Sequence, residues 1–151
     1  MSLLYRYRPI RMGRPVLPLG GRFVRPRPLV PVDIIGPLTT VTRNALLDSG
    51  ADDTVLPEYV AGAIGLDLSN APSGIAAGVG SSGVPVRYAR VTLRLTDGRE
   101  LREWLGWVGF TPARMTYPIL GFAGCLQFFD AHFRGAREEV ELTTNGLYPG
   151  L

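Results

Sequence analysis

The stretch A45-L-L-D-S-G-A-D-D-T-V-L-P57 places three carboxylates, Asp48, Asp52 and Asp53, within six positions of a chain of 151 residues. Leu46 and Leu47 ahead of them read as the end of a strand seated in a core, and Thr54–Leu56 as the start of another. Ser49 and Gly50 are turn formers. A chain that anchors a loop with leucines and then crowds acids onto it is building something chemical or bracing a structural seam.

Outward from this loop the chain reads as strands and turns. Pro28–Gly36 and Thr39–Asp48 are two runs rich in β-branched residues, separated by the turn around Gly36 and Pro37. Pro57, Glu58 and Gly65 bracket one short helix, with Pro in the first turn, an acid at the positive end of the dipole and Gly as the stop. Between Ser73 and Gly83 nearly every residue is small, and Val84–Leu95 then alternates with period two, so the two segments form a hairpin with a mobile tip. Asp97-Gly98 signals a tight turn into the strand Arg99–Phe110. Tyr117–Gly121 (YPILG) is a short buried strand, Phe122–Phe129 a second short helix, and Asp130–Thr144 a last hairpin through Gly135. There are 19 glycines and 13 prolines, which fits this punctuated, mostly β pattern in one domain.

Charge is distributed unevenly. All sixteen basic residues are arginine, seven of them precede the first acid, Asp33, and the remaining nine face thirteen acids. Residues 1–26 thus form a basic, Pro-rich arm, residues 27–144 the domain and residues 145–151 a tail. Proline excludes helix from the arm, which reads as an extended, solvated segment. Packing against a subunit is a second use for it. An organellar transit segment is a minor third, with only Ser2 to supply the usual serine. Basic arms also bind phosphates, but the absence of a readout motif argues against nucleic acid as a partner. No apolar run marks a signal peptide or a membrane span, and the lone Cys125 excludes an intrachain disulfide, so a reducing, cytoplasmic setting is expected.

The segment from Ala45 to Pro57 closely resembles the active-site segment of the retroviral-type (retropepsin-like) aspartic proteases. The likeness extends to RPLV at Arg27–Val30, to the Gly-rich stretch where that family carries its flap, and to YPILG, covering roughly residues 27–142. It implies a closed, barrel-like retropepsin fold with a flap hairpin and one or two short helices. It also implies an endopeptidase whose catalytic residue is Asp48, with Ser49 and Gly50 holding the loop. Ala51, Asp52, Asp53, Ile75, Gly78, Val79 and Gly80 would bind substrate, and Arg27 and Gly121 would support the loops and the dimer. No cofactor or metal is implied.

The chemistry fits that reading. Two aspartates about 3 Å apart cannot both ionise and therefore share one proton, so one accepts a proton from water while the other polarises the peptide carbonyl. Only one Asp-Ser-Gly occurs here, so the dyad requires two copies of Asp48 meeting across a twofold axis, a homodimer. There Ser49 would bond across the axis, and Gly50 permits close backbone approach. In the family Asp52 pairs with arginines. Here Phe122 stands where Arg is common, leaving Arg27, which in the family comes from the other subunit. Asp53 is equally readable as a loop carboxylate in water. The rival readings are a catalytically silent dimer binding extended peptides by strand addition and a nucleic-acid-associated protein working through its arm.

Other residues carry less. His132 reads as a surface strand residue, since no Ser-His-Asp order or His/Cys cluster accompanies it. Cys125 reads as a buried, inert thiol, and Trp104 and Trp107 as core or dimer-face packing.

Overall fold

A computed structural model describes residues 1–77 and 82–150. Alternation along the first two core strands sets the architecture. In β4 (Leu29–Ile35), Val30, Val32 and Ile34 are fully buried and the residues between them face outward. It pairs antiparallel with β5 (Thr40–Leu47) on one side and with β8 (Val84–Thr96) on the other. The order continues from β5 through β10 (Ile119–Leu120), β6 (Val55–Pro57) and β9 (Leu101–Thr111) back to β8, so six strands close a hydrogen-bonded ring. The fold is mostly β, as expected. β7 (Ser73–Ala76) is an outer addition, a hairpin partner to the first residues of β8.

The single α-helix among the described residues, α1 (Glu58–Ile64), follows β6 directly and presses Val60, Ala61 and Ile64 into the core. Gly65 ends it in the left-handed conformation at φ 81°, its N–H returning to the helix carbonyls. The second helix expected over Phe122–Phe129 is only a 3₁₀ turn, Leu126–Phe128. Gly124 at φ 90° breaks the chain before it. Phe129 is then drawn into an edge-to-face contact with buried Trp104, ring centroids 5.3 Å apart, and aromatic packing overrides helix continuation. Trp107, on the opposite face of β9, is exposed.

The arm differs most from expectation. Its first strand, β1 (Leu3–Arg6), lies against β12 (Glu139–Thr144) with Leu3 opposite Leu142, and β11 (Phe129–Arg134) flanks β12 on the far side. Leu3 is fully buried and Tyr5 nearly so. Two apolar side chains at period two are enough to turn a presumed tail into a sheet strand. Asp97, in the β8–β9 turn, accepts the Leu4 N–H at 3.0 Å and so fastens β1 to the ring. The rest of the arm is a separate two-stranded ribbon, β2 (Arg8–Val16) and β3 (Arg22–Arg27). Pro9 and Pro26 stand opposite one another in it, at a pair position that needs no N–H from either. Proline therefore excluded helix but not strand. Among the described residues no helix is long and apolar enough to cross a membrane.

Candidate functional site

The acidic loop is the excursion between β5 and β6. Ala45 and Leu47 on β5 are buried, while Leu46 is only half-buried. Adjacent strand residues point to opposite faces, so the anchors are Ala45 and Leu47 and not the two leucines together. β10 then holds both stems. It runs parallel to β5 with Ile119 beside Leu46, and antiparallel to β6 with Ile119 opposite Val55. The N–H of Asp48 donates to the Leu120 carbonyl at 3.0 Å, and that of Leu47 to the Pro28 carbonyl at 3.0 Å.

A second latch comes from the residues after β10. Phe122 N–H donates to the Ala51 carbonyl at 2.9 Å, Ala123 N–H to the Asp52 carbonyl at 2.8 Å, and Thr54 N–H to the Ala123 carbonyl at 3.0 Å. Gly121 is buried beneath this latch. Any side chain there would run into the backbone of Asp53 and, at 2.8 Å, the Ala51 carbonyl oxygen. Glycine is thus required by close backbone approach. The Phe122 ring is 60% exposed and gives Asp52 no counter-charge. Thr54, at the end of the loop, keeps a buried hydroxyl with no hydrogen-bond partner among the described residues.

Within the loop Asp48 is half-buried, and its Oδ1 accepts the Gly50 N–H at 2.9 Å. A cleft of about 320 Å³ opens over it, with Asp48, Gly50 and Ala51 on the floor and Asp53 also lining it. Ala76, Ala77 and Val84 of the β7–β8 hairpin face this floor, and Met115 and Ile119 form part of the wall. Val55, Ala76 and Val86 make a small buried cluster apart from the main core, joining the hairpin base to the loop stem. Polar acids on one side and short apolar side chains on the other describe a slot for an extended ligand.

Asp53 is not a free loop carboxylate. The Tyr88 hydroxyl donates to its Oδ2 at 3.0 Å, and burial, followed by this bond, pushes the Tyr88 phenol above its ordinary value. Asp52 is exposed and does not line the cleft. Among the described residues neither Asp52 nor Arg27 has an ion pair. Arg27 instead lines a different hollow with Tyr7 and Glu138. Ser49 is exposed in the turn beside Asp48. Ile75 is 65% exposed and points away, with its neighbours Ala76 and Ala77 taking the cleft positions expected of it. Gly78, Val79 and Gly80 lie outside the described residues.

Tyr88, Met115, Val84 and Ile119 are the contributors that sequence reading missed. Tyr88 reaches Asp53 across 35 residues of sequence, and nothing local marks it. Ile119 had a signal in YPILG, whose register against β5 and β6 was the missing piece. Cys125 is fully buried, which pushes its thiol far above the ordinary range, and His132 is exposed on β11. Among the described residues no cluster of His, Cys, Asp or Glu could hold a metal ion. No family model and no curated protein matches the chain.

Proposed function

We propose that this chain is a retropepsin-like aspartic endopeptidase, active as a homodimer in which two Asp48 carboxyls share one proton and activate water. The observation that carries the reading is the setting of Asp48. Its loop is clamped from two directions by β10 and the 121–123 segment, and its carboxyl is fixed by the Gly50 N–H at the floor of an open cleft. Rigid backbone support is what a dyad needs, because the geometry of proton sharing tolerates little displacement.

Asp53 does not serve as the second carboxyl in this reading, since the Tyr88 hydroxyl already occupies it. The second group is supplied by another copy of Asp48. The β7–β8 hairpin acts as the flap, closing over a peptide backbone and excluding solvent. Asp53 stands at the cleft edge to accept from a substrate amide. Asp52, exposed and uncompensated within one chain, is placed to meet a cation from the second subunit or to remain in water.

The test is cleavage of an unstructured protein at about pH 5, on the acidic side where a half-protonated dyad works. Activity should vanish in Asp48→Asn and be blocked by a peptide carrying a hydroxyl in place of the scissile carbonyl. If wild-type protein binds that peptide without cleaving any substrate, the chain is a silent peptide-binding dimer instead.

A further inference from the structure

The ribbon β2–β3 carries Arg8, Arg11, Arg14, Arg22, Arg25 and Arg27, and no acid occurs between residues 8 and 27. Only Arg22 has an ion pair, to Glu138 at 2.9 Å. Among the described residues the other five have none. Outside the ribbon the arginines divide evenly: Arg94, Arg99, Arg102, Arg134 and Arg137 are each held by a carboxylate, and among the described residues Arg6, Arg43, Arg87, Arg90 and Arg114 are not.

The register sharpens the contrast. Arg8 stands directly opposite Arg27, and Arg25, two residues along, shares their face opposite Ile10. Like charges placed directly across a strand pair destabilise it, so this arrangement works against folding until an anion sits among the guanidinium groups. Arg22, Arg25 and Arg27 also line one hollow of about 410 Å³ with Tyr7 and Glu138; Glu138 engages Arg22, which leaves the Arg25 and Arg27 forks to match phosphate oxygens bidentately.

We propose that the β2–β3 ribbon binds duplex DNA, its arginines gripping the phosphates that flank a groove. A two-stranded ribbon fits the B-form major groove, whereas the major groove of an RNA duplex is too deep and narrow. Single strands are held by series of stacking rings, and the ribbon offers one exposed aromatic, Phe23. The ribbon forms its own two-stranded sheet, separate from the ring that carries the cleft, so this surface is independent of the proteolytic reading.

The experiment is a fluorescence-anisotropy titration of the intact protein with a labelled DNA duplex of about 24 base pairs, repeated between 50 and 200 mM salt. The three free arginines that share one face, Arg8, Arg25 and Arg27, predict a slope near −2.7 in log K against log salt, roughly a fortyfold loss over that range. Combined Arg11→Gln, Arg14→Gln and Arg25→Gln should bind more weakly at 50 mM salt and lose only about tenfold. These side chains are exposed, and an unchanged thermal melt verifies the fold of the variant. Absence of binding at 50 mM salt, a salt slope unaltered in the variant, preference for single-stranded RNA, or equal competition by polyglutamate would each overturn the proposal.

Discussion

At the scale of single residues, the candidate site depends on what the backbone excludes as much as on what the side chains offer. Gly121→Ala forces a methyl group into the backbone of Asp53 and Ala51, and the loop bearing Asp48 must move. Overpacking of this kind costs about 1–3 kcal/mol. The variant should melt lower and lose nearly all peptidase activity, which a thermal melt and a cleavage assay check together. Tyr88→Phe is the milder counterpart. It leaves Asp53 without its phenol donor, for a loss of about 1 kcal/mol, and should raise KM more than it lowers kcat because Asp53 is placed at the cleft edge. Asp97 governs the acid limit. Burial raises its pKa, but the N–H groups of Glu100, Leu4 and Arg99 outweigh that and hold it well below the usual carboxylate range. A depressed folded value contributes stability that is complete above about pH 4, the unfolded value, and lost as pH falls through the folded one. Asp97→Asn should therefore lower the melting temperature at pH ~7, where the contribution is complete, and the gap to wild type should close as pH falls below ~4.

At the scale of elements, legibility followed the reach of the signal. β4, β5, α1 and the β8–β9 turn were readable because alternation, caps and an Asp-Gly pair act over a few residues. The Asp48 loop was readable for the same reason, since Asp-Ser-Gly and its flanking leucines are contiguous. The strand nature of the arm was not, because proline and arginine content masked Leu3 and Tyr5, whose partners Leu142 and Val140 lie more than 130 residues away. The second helix failed for a tertiary reason, the pull of Trp104 on Phe129. The Asp53–Tyr88 pair was hidden because it depends on how far β8 slides past the loop, which no local pattern encodes. The structure makes β1 a structural strand, so Leu3→Ala should cost about 2–5 kcal/mol, measurable by denaturant unfolding. A freely solvated tail would show no change.

At the scale of the whole molecule, the proposed shared dyad makes a quantitative demand. When Asp48→Asn and wild-type chains are mixed equally and allowed to exchange, about one quarter of the dimers retain two carboxyls. Activity should fall to about that fraction, along a curved line across the mixing series. A site complete within one chain would retain about half and trace a straight line. The pairing of β1 with β12, Leu3 against Leu142, also governs how the molecule comes into being. β1 leaves the ribosome well before β12 and waits for it before their sheet can close, so the Leu3 and Tyr5 side chains stay unsheltered until residues 139–144 are made. Contacts of such sequence separation form slowly, and a nascent chain stalled short of residue 139 should leave residues 3–6 open to digestion.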